Sequence, residues 1–398
     1  MVAMMLSGSG GQGEGMGTMR DERNLALRWF GVALLVRLLA GALADLYSTS
    51  RGFEGFFPLA SGADDRFYWQ IVEQYFQGER IYVSNSYPWA LIALFFVTGP
   101  SLVLGKLLSV VAGALTVYLG VRIVQTVADG HPSGPAGREA RDGAAHWAGT
   151  LLTFYSSLLF YSTQLVRDAI LTLLGFWALY LAMRFLRQPH PLYAGLGLVV
   201  LAGLFLFRFY AAVALAASVV LFAFRFRPRW FVPASALAGL GAIAARRGLF
   251  GLGMIGQWLD PARIAGFRAS TYSTGGSAAG IEIDFSHPLA FLTSYGYSFA
   301  TAMFGPFPWQ LASAVQWIAL PEALGLWLLS PIWVWGIITL IRGRLGEDGL
   351  LLLFSLVLIG AVALFSDNIG ANTRLRLLPW GAFLLFAASR MPRVTLER

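Results

Sequence analysis

The chain has 398 residues, 57% of them hydrophobic and only 13% charged. An ordinary soluble domain is roughly 25% charged, so this composition excludes a soluble enzyme and predicts a polytopic membrane protein. Cysteine is absent, which excludes disulfides, thiolate metal sites and a cysteine nucleophile.

At about 20 apolar residues per crossing, the apolar runs supply about ten spans. The formal charge of +8 would suggest nucleic acid for a soluble protein. Here the basic residues flank apolar runs, as the positive-inside rule expects. Membrane lipids, and no nucleic acid, are the expected surroundings. Lys106 is the only lysine. An Arg bias suits bidentate phosphate binding, although a GC-rich genome produces the same bias.

In chain order, residues 1–24 begin Gly/Ser-rich and lack the apolar core of a signal peptide. They read as a disordered cytoplasmic tail, and 25–398 as a single transmembrane domain. The first span covers about 25–47 and the first outer loop 48–87. That loop carries GADDRFYWQIVEQYFQGE (62–79). Phe67, Ile71 and Tyr75, with Tyr68, Val72 and Phe76, form one apolar stripe, and Gln70, Glu73, Gln74 and Gln77 lie off it. The pattern predicts an amphipathic interfacial helix. Asp64 is placed to cap it, and Asp65 to sit in its first turn against the helix dipole. Capping accounts for one carboxylate better than for two.

Thr98-Gly99-Pro100 divides 89–128 into a short re-entrant helix and a span from about Ser101. Residues 131–146 read as a turn-rich loop. The polar Ser162-Thr163-Gln164 and Arg167-Asp168 split the following long apolar run into a hairpin. Residues 192–224 fit either one long span or two short ones meeting near Arg208. Charge decides for two, because that count keeps Arg184, Arg187, 224–229, 341–344 and 389–393 on the inner side. A span at 230–250, an outer segment 251–320, and spans at about 323–341, 349–366 and 375–390 complete the chain. No internal repeat supports an inverted-repeat transporter.

This topology brings Asp64, Asp65, Arg167, Asp168, Arg208, Asp367, Arg374 and Arg376 to one outer face. Ionisable groups at membrane depth cost roughly 2.5–3.5 kcal/mol each and mark function. Arg66 and Tyr68 stand beside the acidic pair as supporting groups. The bland readings are a decorated hairpin tip for Arg167-Asp168 and headgroup snorkelling for Arg374 and Arg376. Arg208, inside FLFRFYAAV, needs an anionic partner, either a carboxylate or a ligand phosphate. GLGMIG (251–256) fits a dinucleotide fingerprint but has no strand–helix unit around it. His131, His146, His190 and His287 lack metal-ligand spacing.

ADDRFYW after the first span, YPWALIALFFVTGPSLVLGKLLSVVAGALTVYLGVRIV, LLFYSTQLVRDAILTLLGFWALYLAMRF and AGLGLVVLAGLFLFRFYAAVAL carry a resemblance. Over residues 25 to 225, and more loosely beyond, the chain resembles the membrane-embedded GT-C fold glycosyltransferases. The bacterial branch akin to protein mannosyltransferases and aminoarabinose transferases is the most similar. The resemblance implies an all-α GT-C-like bundle and a catalytic carboxylate at Asp64 or Asp65. It also implies a polyprenyl-phosphate-linked sugar donor and transfer outside the bacterial cytoplasmic (inner) membrane. The acceptor, whether glycan, lipid or protein, stays undefined. Arg-Asp at 167–168, Phe209 after Arg208, and the missing soluble domain after the last span depart from the family pattern.

The residue types fit that chemistry. A carboxylate can take the acceptor proton, with Asp65 the expected base and Asp64 the expected cap. Arg208, Arg374 and Arg376 can bind the donor phosphate. A divalent cation, Mg or Mn, on Asp64 and Asp65 is compatible with oxygen ligation, and nothing in the sequence requires one. The competing readings are a surface-polysaccharide polymerase or ligase and a lipid-linked glycan transporter or flippase.

Overall fold

In the computed structural model the chain is all-helical, with no strand among the described residues. Those residues are 14–56, 64–83, 85–128, 135–226, 260–272, 279–311 and 320–391. The composition accounts for the architecture, because backbone N–H and C=O groups in hydrocarbon must be satisfied inside their own segment.

The first helices are α1 (Glu14–Ser50), α2 (Asp64–Phe76), α3 (Tyr87–Thr98), α4 (Leu102–Ala128) and α5 (Pro135–Phe154). A short α6 (Ser156–Tyr161) leads to α7 (Asp168–Arg187), α8 (Pro191–Phe207) and α9 (Phe209–Phe226). Then come α10 (Pro261–Tyr272), α11 (Pro288–Phe304), α12 (Leu320–Ile341) and α13 (Gly349–Phe365). The described chain closes with α14 (Ile369–Leu375) and α15 (Leu377–Ala388). Of these, α1, α4, α7 and α12 are long and apolar enough to cross a membrane; α3, α8, α9, α13 and α15 are apolar but shorter.

Two packing groups meet at α15. One centres on α4, which packs against α1, α5 and α7; the other on α13, against α9, α11 and α15. Trp380, Phe383 and Phe386 of α15 are fully enclosed, as are Phe176 and Phe354. Close approach depends on small residues, the usual device where lipid replaces water. A Cβ added at Gly175 would stand 2.4 Å from Leu378.

The helix breaks fall where the sequence punctuates. Gly99, with φ +78°, and Pro100 separate α3 from α4. Arg208, extended at φ −160°, separates α8 from α9, as two short apolar segments required. Residues 162–167 part α6 from α7, at the polar middle of the expected hairpin. The expected amphipathic helix is α2, and it starts at Asp64. His190 and His287 act as N-caps: their ring nitrogens accept from Leu192 N and Ala290 N, each at 3.2 Å, ahead of Pro191 and Pro288.

Two expectations change. The loop expected over 131–146 is helical from Pro135, because Ala, Arg and Glu favour the helix more than two glycines oppose it. The tail expected over 1–24 is helical from Glu14; residues 1–13 lie outside the described residues. Within the outer segment 251–320, α11 lies against the later half of α13. There Tyr295 Oη donates to Gly360 O (3.0 Å) and Ser298 Oγ to Ala363 O (2.7 Å). The span expected at 230–250 and the GLGMIG stretch lie outside the described residues.

Candidate functional site

The head of α2 meets the head of α7, the last turn of α14 and the α8–α9 break at one end of the bundle. Asp168 opens α7 and is fully buried. Its Oδ1 accepts from Arg208 Nη2 at 3.2 Å, and its Oδ2 from Arg374 Nε and Nη2 at 3.0 and 2.7 Å. Arg374 Nη1 reaches back to Asp64 Oδ2. The result is a continuous chain of alternating charge: Asp64, Arg374, Asp168, Arg208. Burial alone would lower the pKa of Arg374, but Asp168 and Asp64 outweigh it and raise the value above the usual arginine range.

Exposure falls from Asp64 to Asp168 and stays low at Arg208. The Asp168 side chain is 0% exposed, Arg208 6%, Arg374 12% and Asp64 41%. Asp64 is therefore the group at the mouth. Asp65 turns the other way and is 0% exposed, in the first turn of the helix whose Tyr68 and Val72 pack with Tyr87 and Leu91. This reverses the expectation that Asp64 caps and Asp65 faces the cavity. Successive side chains on a helix point about 100° apart, and the apolar stripe of α2 takes Asp65 inward with it.

Arg167 adds a further cation. It is half-buried, its Nε is buried without a hydrogen-bond partner, and it makes no ion pair among the described residues. Its charge bears on both Asp168 and Tyr68. Burial raises the pKa of the Tyr68 phenol above its ordinary value, with Arg167 opposing. Tyr68 Oη accepts from Asn85 Nδ2 at 3.3 Å, and its ring meets Tyr87 edge-on at 4.9 Å. Arg66 is exposed, over the Phe56 ring at 5.4 Å, and stays out of the cluster.

Arg374 and Arg376 part company. Arg376 sits at the junction of α14 and α15 with 1% of its surface exposed. Its guanidinium lies 4.0 Å from the Trp380 ring centroid, and Nη1 donates to Gly305 O. It does not join the Asp168 chain. Asp367 is likewise occupied elsewhere: its oxygens accept from Gly280 N (3.1 Å) and Ile281 N (3.0 Å), 3.5 Å from Arg268. Burial raises its pKa, opposed by the Ile281 N–H bond and the Arg268 charge.

The residues do not fit a divalent ion at the acidic pair. Asp64 is already neutralised by Arg374 and Asp65 points away from it. Among the described residues no group of three His, Cys, Asp or Glu comes together.

Sequence reasoning passed over several polar residues that shape this end. Arg37 of α1 is fully buried and donates to Ser162 Oγ (3.0 Å), Ala33 O and Leu152 O (both 3.3 Å). It ties α1 to the turn that precedes Asp168. Gly113 makes the room, since a Cβ there would lie 2.7 Å from Arg37 Nε. Glu322 at the start of α12 accepts from Ser156 Oγ, Ser157 N and Ser157 Oγ at 2.6–2.7 Å. Lys106 pairs with Asp45 and the Gly55 carbonyl. A charge inside an apolar run is the signal that would have found Arg37 and Lys106.

No family model, curated protein or solved structure matches this chain.

Proposed function

We propose that this chain is a membrane glycosyltransferase of GT-C type, with about ten spans, working at the outer face of the bacterial cytoplasmic membrane. It transfers a sugar from a polyprenyl-phosphate donor to an acceptor hydroxyl. The observation that carries the reading is the half-exposed Asp64 at the mouth of an arginine-rich cluster whose inner carboxylate, Asp168, is already satisfied.

The following steps are compatible with the arrangement of these side chains. Asp64 takes the acceptor proton as its oxygen attacks the anomeric carbon. The bond from that carbon to the phosphate oxygen breaks, and polyprenyl phosphate leaves with the electron pair. Arg167, free of a carboxylate among the described residues, receives the charge that develops there. Arg374 turns one nitrogen toward the same mouth. Buried Asp168 holds Arg374 and Arg208 in place and touches neither reactant. A lipid-linked donor also needs an apolar bed. A groove of about 420 Å³ between α8 and α9 is lined by Leu198, Leu201, Phe205, Leu206, Ala212 and Val213. Its residues flank Arg208 in the chain.

The test is release of polyprenyl phosphate from a polyprenyl-phosphate sugar by purified protein, for wild type, Asp64→Asn and Asp65→Asn. Asp64→Asn should lower turnover by roughly 10²–10⁴-fold with donor affinity retained. Near-wild-type turnover in the folded Asp64→Asn variant would remove the carboxylate from the chemistry and take the assignment with it.

A further inference from the structure

The Arg376 guanidinium poses a separate problem. Nη1 is used by the Gly305 carbonyl, but Nε and Nη2 are buried with no hydrogen-bond partner. Those two N–H groups lie on one edge of the guanidinium and point in parallel, the geometry with which arginine grips an anion bidentately. Two neighbours share the condition: Tyr155 Oη and Trp380 Nε1 are also buried and unpartnered. The Tyr155 and Trp380 rings stand 6.0 Å apart, and Arg376 lies against the Trp380 face.

More than nine in ten buried polar groups in native proteins are paired. A guanidinium edge, an indole N–H and a phenol gathered without partners therefore call for one shared partner. Arginine and tryptophan can only donate, and a phenol donates readily. A lining of donors selects an anion. The acid whose charge bears most on Arg376 is Glu322, but its oxygens are held by Ser156 and Ser157. An unpaired charge enclosed at this depth costs several kcal/mol, which one bound anion would remove.

We propose that Arg376, Tyr155 and Trp380 form a second anion site, separate from the Asp64–Asp168 cluster, that holds one small inorganic anion on the Arg376 Nε–Nη2 edge. The three side chains are enclosed, Arg376 at 1% exposure, Trp380 at 0% and Tyr155 at 5%, which favours a small ligand. Because Arg376 joins α14 to α15, Gly305 ends α11 and Tyr155 divides α5 from α6, the anion fastens both packing groups at one point. It does so two residues from Arg374. The site does not depend on the glycosyltransferase reading, and its failure would leave that reading untouched.

The test uses the full chain in detergent. Thermal unfolding is followed in chloride, bromide or inorganic phosphate against gluconate at constant ionic strength. One or more of the small anions should raise the unfolding temperature saturably. Response to chloride and bromide identifies a halide, and response to phosphate alone an oxyanion. Trp380→Phe keeps the ring under the guanidinium but deletes one donor, and should raise the half-saturating concentration roughly fivefold. Tyr155→Phe should act alike, and Arg376→Gln should abolish the response; if Arg376→Gln does not fold, the two aromatic variants decide. An unfolding temperature indifferent to anion identity would overturn the proposal. So would a response that Trp380→Phe and Tyr155→Phe leave unchanged, which would place the anion elsewhere.

Discussion

At one end of the bundle a single buried carboxylate, Asp168, serves both Arg208 and Arg374, and Arg167 is left over. At the other end acids and bases form local clamps: Arg187 with Glu347, Arg390 with Asp348, Arg141 with Glu22. The clamps join one chain segment to another, and Glu22 also lies 4.0 Å from Arg122. The Asp168 cluster is built around a surplus of cations that narrows toward a half-exposed carboxylate. Clamped pairs hold a fold together, whereas an uncompensated cation beside a reachable acid is prepared for an anionic ligand. The two ends should therefore respond differently when a charge is removed.

The largest effect is expected for Asp168→Asn. It leaves Arg208 and Arg374 enclosed without their shared counter-charge, and breaking a buried pair on one side costs about 3–5 kcal/mol. Thermal or denaturant unfolding in detergent should show that loss. A cost near that of a surface substitution would mean the arginines find other partners, and the contrast between the ends would collapse.

Arg208→Lys is the intermediate case. Charge is kept, but the planar fork that reaches Asp168 Oδ1 and rests 5.6 Å from the Tyr210 ring is lost. The expected cost is about 1–2 kcal/mol, with the cluster still neutralised. If Arg208→Lys proved as damaging as Asp168→Asn, geometry rather than charge would control this end.

Much of this arrangement could be read from the residue pattern. Gly99-Pro100, the polar 162–168 stretch and Arg208 each interrupt an apolar run, and each is a helix break in the structure. The convergence of Asp64, Asp168, Arg208 and Arg374 followed from counting crossings. What stayed hidden is direction. Arg374 and Arg376 differ by two residues, and a helix junction between them sends one to Asp168 and the other onto Trp380. Asp64 and Asp65 are adjacent, and the buried stripe of α2 decides which of them faces out. Tertiary packing sets such choices, and periodicity alone does not contain them. The helix at Pro135–Phe154 was obscured for a different reason, since Pro and Gly at its start imitate a turn.

The smallest effect is expected at the opposite end, in a double-mutant cycle on Arg187 and Glu347. Their side chains are 20% and 26% exposed, and Arg187 also donates to Val127 O at 3.2 Å, so part of its packing survives loss of the pair. Water reaches both groups and competes with the bond, which holds the coupling to about 1 kcal/mol or less. Salt should weaken it further, because the screening length falls from about 10 Å at 0.1 M to about 3 Å at 1 M. The parallel cycle on Asp168 and Arg374, at 0% and 12% exposure, should give a larger coupling that salt barely changes. The measurement is unfolding free energy for both cycles at low and high salt. Equal couplings with equal salt dependence would show that solvent reaches both ends alike, and the charge surplus at the Asp168 end would then carry no functional meaning.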